Sequence, residues 1–363
     1  MKNNFFSSIW EFDQTNDENK ELHNFFRWYG KLVPQIPRNL INIYSEKGDI
    51  VLANFLGSGT IALESILSER KIIGYDSNPL AILLSTVKTT AINFDYKKFI
   101  AFYDKEIMSI KNLRNIFDNE YEEKWFSENV LTQIKIIKQI IDNYSCSKQD
   151  NNLLNLVFLS TIQKSSKVDS RCINHIVLDK NKKEIDVYLL FKNNLFKLVE
   201  ELKKFKKELT KAEKKIKIGD ARNLVEDSDE SVDLIISHPP YLGNVNYSNI
   251  TQLANYFSGY VYKEVKADDI STDNLDKYLT DMQKVFEEMY RVLKKDKYAC
   301  VIIGDNRKNG KIIPTFSYFI QNAQKIGFSL EDIFIWILNN KAGMSIKRHG
   351  NHIDHNYILV FKK

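Results

Sequence analysis

A rhythm of short apolar segments alternating with helical patterns constrains this chain most. It runs before residue 95 and resumes after residue 215. Candidate strands are Asp49–Ala53, Lys71–Asp76, Lys215–Gly219, Val232–Ser237, Tyr298–Gly304, Phe334–Leu338 and Tyr357–Phe361, with helical stretches at Gly59–Glu69, Leu275–Leu293 and Thr315–Ile326. A parallel return needs a crossover, and a helix supplies one, so this alternation predicts an α/β fold with a doubly wound, mostly parallel sheet of seven strands. Only a loop separates the last two strands, which predicts an antiparallel hairpin at the sheet edge.

Residues 95–214 break the rhythm. Apolar positions in Val130–Ile141 recur at helical spacing, and Leu195, Leu198, Leu202, Phe205 and Leu209 form a stripe ringed by lysines. The chain therefore divides into 1–94, the first part of the sheet; 95–214, a mainly helical insertion; and 215–363, the rest of the sheet. The formal charge of +5 is mild, but residues 95–218 hold 25 Lys and Arg against 18 Asp and Glu, so the remainder is slightly acidic. A module that faces an anion has this distribution, and so does an ordinary solvated helix face. Three cysteines, Cys146, Cys172 and Cys300, without a CxxC pair exclude a disulfide framework and point to reduced thiols in the cytoplasm. No apolar run approaches the ~18–20 residues of a membrane helix, and the N-terminal residues lack a signal pattern.

Four strand ends carry chemistry. The first runs into Gly57-Ser58-Gly59-Thr60, where a glycine pair between strand and helix brings backbone close to a ligand. A tight turn explains a lone GxG equally well. The second ends in Asp76-Ser77, an acid placed to accept hydrogen bonds from a ribose diol. The third ends in Asp220-Ala221, and the fourth in His238-Pro239-Pro240-Tyr241. Paired prolines hold the chain extended with their carbonyls free to accept, and Tyr241 offers a flat face, which suits a planar amino group on an aromatic ring. The first loop is too short for a triphosphate-binding P-loop, and no lysine follows its glycines.

As a set these motifs resemble the S-adenosylmethionine-dependent amino-methyltransferases of DNA, which make N6-methyladenine or N4-methylcytosine. The family pattern is a strand ending in (D)PFxGSGT, acids after the second and third strands, and (D/N/S)PPY after the fourth. Here these stand as Ala53-Asn54-Phe55-Leu56-Gly57-Ser58-Gly59-Thr60, Asp76, Asp220 and His238-Pro-Pro-Tyr241. Tyr29-x-Lys31-x-x-Pro34 is similar to the segment that closes over the methionine end of the cofactor, and Ile303-Gly-Asp305-Asn306 and His355–Phe361 match at the far end. The resemblance implies a Rossmann-like class I methyltransferase fold whose last strand is antiparallel, with S-adenosylmethionine as cofactor. It implies a cofactor site at Tyr29, Lys31, Pro34, Asn54, Phe55, Gly57, Ser58, Gly59, Thr60, Asp76, Ser77, Asp220 and Ala221. A base flipped from double-stranded DNA is then stacked on Tyr241, with its amino group held by His238 and the Pro239 carbonyl beside Pro240, for direct transfer with no metal.

Two residues depart from the pattern. Ala53 replaces the usual acid. His238 replaces an oxygen acceptor, and because imidazolium accepts no hydrogen bond, the rate is expected to fall roughly below pH 6 to 7 on the reference histidine pKa. These departures leave open a catalytically inactive DNA-binding subunit beside a partner, and RNA methyltransferases share the NPPY-type motif. The insertion, with its lysines between Lys203 and Lys215, the segment 242–274 with Tyr247, Tyr256 and Phe257, and Lys341–Arg348 are candidates for contact with DNA. The spacing His349-x-x-His352-x-x-His355 fits no standard zinc pattern. Restriction-modification or phage defence is the expected setting.

Overall fold

The structure is a computed structural model that describes residues 7–12, 20–109, 116–169, 176–224, 227–243, 251–259, 270–308, 311–338 and 355–363. In chain order its strands are β1 (Ser7–Trp10), β2 (Ile50–Ala53), β3 (Lys71–Asp76), β4 (Lys214–Ile218), β5 (Val232–Ser237), β6 (Leu293–Ile303), β7 (Asn306–Lys308), β8 (Lys311–Ile313), β9 (Ser329–Ile337) and β10 (His355–Lys362). Eight of them form one sheet in the order β1-β9-β10-β6-β5-β2-β3-β4, and β7 and β8 pair separately. Only β10 runs antiparallel to its neighbours in that sheet.

The sheet thus has one strand more than the seven expected. β1 pairs in parallel with β9, from Ser7 opposite Ile333 to Trp10 opposite Trp336, and the Trp10 ring lies 4.6 Å from that of Phe334. Four residues are too few to show a period of two, so the sequence pattern does not reveal this strand. The final hairpin forms, but β10 inserts between β9 and β6, and β1 takes the edge.

Alternation along the central strands divides two apolar layers. Helix α1 spans Lys20–Asn24. Val51, Leu234 and Ile236 face one layer, with Leu40 of α2 (Gln35–Tyr44), Leu63 of α3 (Thr60–Leu67) and Leu84 of α4 (Pro79–Lys88). Leu52 and Ile235 face the other layer. Strands buried on both faces read as continuous apolar runs, as VDLIIS does.

The insertion is helical: α5 (Tyr96–Ser109), α6 (Glu120–Trp125), α7 (Glu128–Asn143), α8 (Lys148–Ser165), α9 (Val187–Lys204) and α10 (Lys206–Thr210). Ser127, Ser147 and Asp186 cap α7, α8 and α9 by accepting from first-turn backbone N–H groups. Its core is continuous with the sheet layer: Phe99, Ile134, Phe158, Phe191 and Leu198 belong to the same buried cluster as Leu63 and Leu84. α8 packs on α4 and on α11 (Gln252–Ser258). The second layer is built on α12 (Leu275–Val292) and α13 (Thr315–Ile326). Among the described residues no helix is long and apolar enough to cross a membrane.

Several residues expected to contact DNA have partners within the protein. Lys214 and Lys215 open β4 at the amino edge of the sheet, and Lys214 bonds to Thr89 and Thr90 while Lys215 pairs with Asp227 at 2.6 Å. Lys203 and Lys204 pair with Glu200 and Glu201 one helical turn back, and Lys206 donates to Asn93. Tyr256 and Phe257 anchor α11. The Tyr256 hydroxyl bonds to Asn119 and Glu122, and Phe257 packs edge-on against Phe126 and Phe158. Tyr247, Lys341–Arg348, His349 and His352 lie outside the described residues.

Candidate active site

Chain order sends β2, β3 and β4 outward on one side and returns to β5 on the other, so the topological switch falls between β2 and β5. Open α/β sheets bind ligands outside the carboxyl ends of the strands at this point. A cleft of about 980 Å³ lies there, walled by residues that follow β2, β3, β4 and β5 and by the segment from Trp28 to Leu32. It brings together Tyr29, Lys31, Asn54, Phe55, Gly57, Ser58, Thr60, Asp76, Ser77, Asp220, Ala221, His238 and Pro240. Pro34, Gly59, Pro239 and Tyr241 stand beside the wall and do not line it.

The glycine loop is shaped from behind. Gly57 and Gly59 have φ of +49° and +74°, in the left-handed region. A Cβ on Gly59 would sit 2.7 Å from Ser85 Oγ, and one on Gly57 would sit 3.2 Å from Trp28 Nε1. Either substitution therefore meets both backbone strain and a packed neighbour. The Ser58 and Thr60 hydroxyls bond to each other at 2.9 Å, beneath the loop.

The strand-end acids have protein partners that the sequence did not reveal. Asp76 accepts from the Gly57 N–H at 2.7 Å and the Asn78 N–H at 2.9 Å, so it fastens the glycine loop to the start of α4. Asp220 is gripped by Arg222, whose backbone N–H and guanidinium both donate to it. Arg222 also reaches Asp281, which pairs with Lys277 at 2.8 Å, and the Asp220 hydrogen bond raises the arginine's pKa. The spacing Asp-x-Arg was the one available signal, and it is common in turns.

After β5, Pro240's carbonyl accepts from the Tyr278 hydroxyl at 2.8 Å and Leu242's from the Asn306 amide. Those bonds fix the PPY turn from the α12 side. His238 Nε2 lies 3.3 Å from the Tyr241 hydroxyl, with the rings edge to face at 5.6 Å. Burial lowers the His238 pKa from 6.5 to about 4. The imidazole is therefore neutral well below the pH 6 to 7 expected from the reference value.

Two lysines mark the end of the cleft at residues 28–32. Lys31 lines it, donates to Asn24, and has a pKa lowered by burial to about 8. Lys88 is fully buried with its Nζ on the carbonyls of Ser58, at 2.9 Å, and His23, at 3.3 Å, and burial holds its pKa well below the ordinary value. In the sequence Lys88 reads as a cation at a helix C-terminus, a common surface feature, so nothing flagged it. Nearby, buried Glu64 bonds to His23 at 2.7 Å and Arg38 at 2.7 Å.

The residues fit S-adenosylmethionine. Buried Asn54 lines the cleft with both amide atoms unpaired, among the described residues, and a buried amide without partners is costly unless a ligand meets it. The methionine end of the cofactor carries an ammonium and a carboxylate, complementary to Oδ1 and Nδ2. Among the described residues no cluster of three metal-ligating side chains occurs, and His355 shares a 2.9 Å hydrogen bond with Tyr357.

Strand order, antiparallel β10 and a cleft at the β2–β5 switch define a class I methyltransferase fold that uses S-adenosylmethionine. The chain belongs to the DNA methylase family, whose model matches residues 1–88 and 232–363. It is 32% identical to the type II methyltransferase M.MjaI of Methanocaldococcus jannaschii, over 41% of this chain and 55% of that protein. Similarity to the type II methyltransferase M.BsoBI of Geobacillus stearothermophilus, at 21% identity, takes in 93% of this chain and 84% of the relative. Among solved structures, the PvuII DNA methyltransferase (cytosine-N4-specific) is 19% identical over 40% of this chain and 47% of that chain, with a TM-score of 0.28. The chain thus spans about half the length of M.MjaI and most of M.BsoBI.

Proposed function

We propose that this chain transfers a methyl group to the exocyclic amino nitrogen of a base in DNA, making N4-methylcytosine or N6-methyladenine within a restriction-modification system in the cytoplasm. The observation that carries this reading is the convergence of the glycine loop, Asp76, Asp220, His238 and Pro240 on one cleft. S-adenosylmethionine, when bound, supplies an electrophilic methyl group. Asn54 and Lys31 hold its methionine end, Asp76 lies nearest for the ribose, and Asp220 with Ala221 borders the base end. The missing acid at Ala53 is offset by the unpaired Asn54 amide.

Tyr241 gives the flipped base a face, and His238 accepts a hydrogen from its amino group. That role fixes the tautomer. If Nε2 carries the proton and donates to the Tyr241 oxygen, Nδ1 keeps the lone pair. Catalysis is then orientation of the nitrogen with an acceptor that stays neutral. The test is expression in a host that lacks DNA methylation, with base-resolution detection of modified DNA. Modification by the wild type and none by Tyr241→Ala is expected. Unmodified DNA from a folded wild type that binds S-adenosylmethionine overturns the reading.

A further inference from the structure

Behind the wall formed by residues 28–32 lies a second cavity. One short stretch of chain separates the two: Phe25, Phe26 and Arg27 line the second, and Trp28 to Leu32 line the first. The opposite wall comes from α8 through Gln163 and Lys164, from Lys182, and from α11, which follows the PPY turn in the chain. The floor is apolar, with Leu159, Val168 and Leu253 buried.

The rim is cationic. Arg27, Lys164 and Lys182 contribute to it, and among the described residues no carboxylate lines the cavity. Lys182 donates to the Val168 carbonyl at 2.9 Å, and burial lowers its pKa against the opposing pull of Asp179 and Asp169, which lie outside the lining. Lys164 is exposed and its ammonium has no partner among the described residues, and the Gln163 amide is likewise unengaged there. An apolar interior with polar groups and a basic rim complements a nucleotide: base inside, phosphate at the mouth.

We propose that this cavity receives a nucleotide of the DNA strand beside the target, with its base against Phe25 and within reach of the Gln163 amide and its phosphate at Arg27, Lys164 and Lys182. The proposal rests on the DNA-methyltransferase reading above. It moves the DNA contact from the lysines at the start of β4 to the side of the insertion next to the cleft. Gln163 is then a residue that reads sequence, because a primary amide pairs with base edges, and Lys164 one that holds the backbone.

The test uses the full chain, a fluorescein-labelled mixed-sequence duplex, and calorimetric titration of S-adenosylmethionine. Lys164→Glu is expected to weaken duplex binding about tenfold and to lower the slope of log affinity against log salt by about 1, with cofactor affinity unchanged. Lys284→Glu, on the exposed face of α12, is expected to leave duplex affinity within about twofold, the ordinary scale of a surface change. Gln163→Ala is expected to alter the set of modified sites while thermal unfolding stays at the wild-type midpoint. Lys164→Glu with wild-type affinity and salt slope, in a protein whose wild type binds both cofactor and duplex, overturns the second cavity alone. A wild type that binds neither overturns the methyltransferase reading itself.

Discussion

Replacing His238 by asparagine should remove a specific pH dependence of stability. The ring lines the cleft and is otherwise enclosed by protein, which lowers its pKa from 6.5 to about 4. The native state therefore binds the proton more weakly than the unfolded chain. The stabilisation of the neutral form is complete above pH 6.5 and is lost as pH falls from there toward 4. At ~1.4 kcal/mol per tenfold change in the proton equilibrium, integration gives a loss of about 2.4 kcal/mol between pH 7 and pH 4.5. Urea unfolding of the wild type and of His238→Asn over this range, compared as a difference, isolates this residue from the other titrating groups. The wild-type curve should fall more steeply by about 2 kcal/mol. Ring-proton NMR should show His238 neutral at pH 5.5, and methyl transfer should show no His238 titration between pH 8 and pH 5.5. Parallel stability curves, or a ring that titrates near 6.5, would refute the burial argument.

Three other substitutions probe the same cleft. Lys88→Met leaves the Ser58 carbonyl without its buried donor, so S-adenosylmethionine should bind about tenfold more weakly by calorimetry, the cost of an unmade buried hydrogen bond. Lys31, held near 8, should lose its charge as pH rises through that value. Cofactor affinity should then fall about tenfold by pH 9, a decline that Lys31→Met should not show. Tyr278→Phe removes the donor to Pro240, and a stability loss of about 1 kcal/mol with a lower rate at unchanged cofactor affinity is expected, read by denaturant unfolding and steady-state kinetics.

The sheet was legible because buried parallel strands write themselves as apolar runs: Lys71–Asp76 and Val232–Ser237 are bounded where the sequence pattern places them. β1 was hidden by its length, and its pairing partner is more than 300 residues away. At the site, residue type marked the strand ends, because acids, glycines and prolines there are conspicuous. Their partners were not marked. Lys88, Arg222 and Tyr278 act through contacts across the fold, and each looks ordinary in its own stretch of chain. The pKa of His238 was misjudged for the same reason, since a reference value contains no burial.

Helix α4 touches both halves of the molecule. Its first residues receive Asp76, its last lysine holds the glycine loop, and its side packs on α8, whose far end borders the second cavity. The glycine loop and the proposed second site therefore share one packed helix. Were DNA bound at the proposed site to shift α8, the shift would reach the loop through α4, and reciprocity would then require the cofactor to change DNA affinity by the same factor. Exchanging the insertion for that of another family member would transplant half of a shared core, so new specificity would have to be built on α8 and α11 in place.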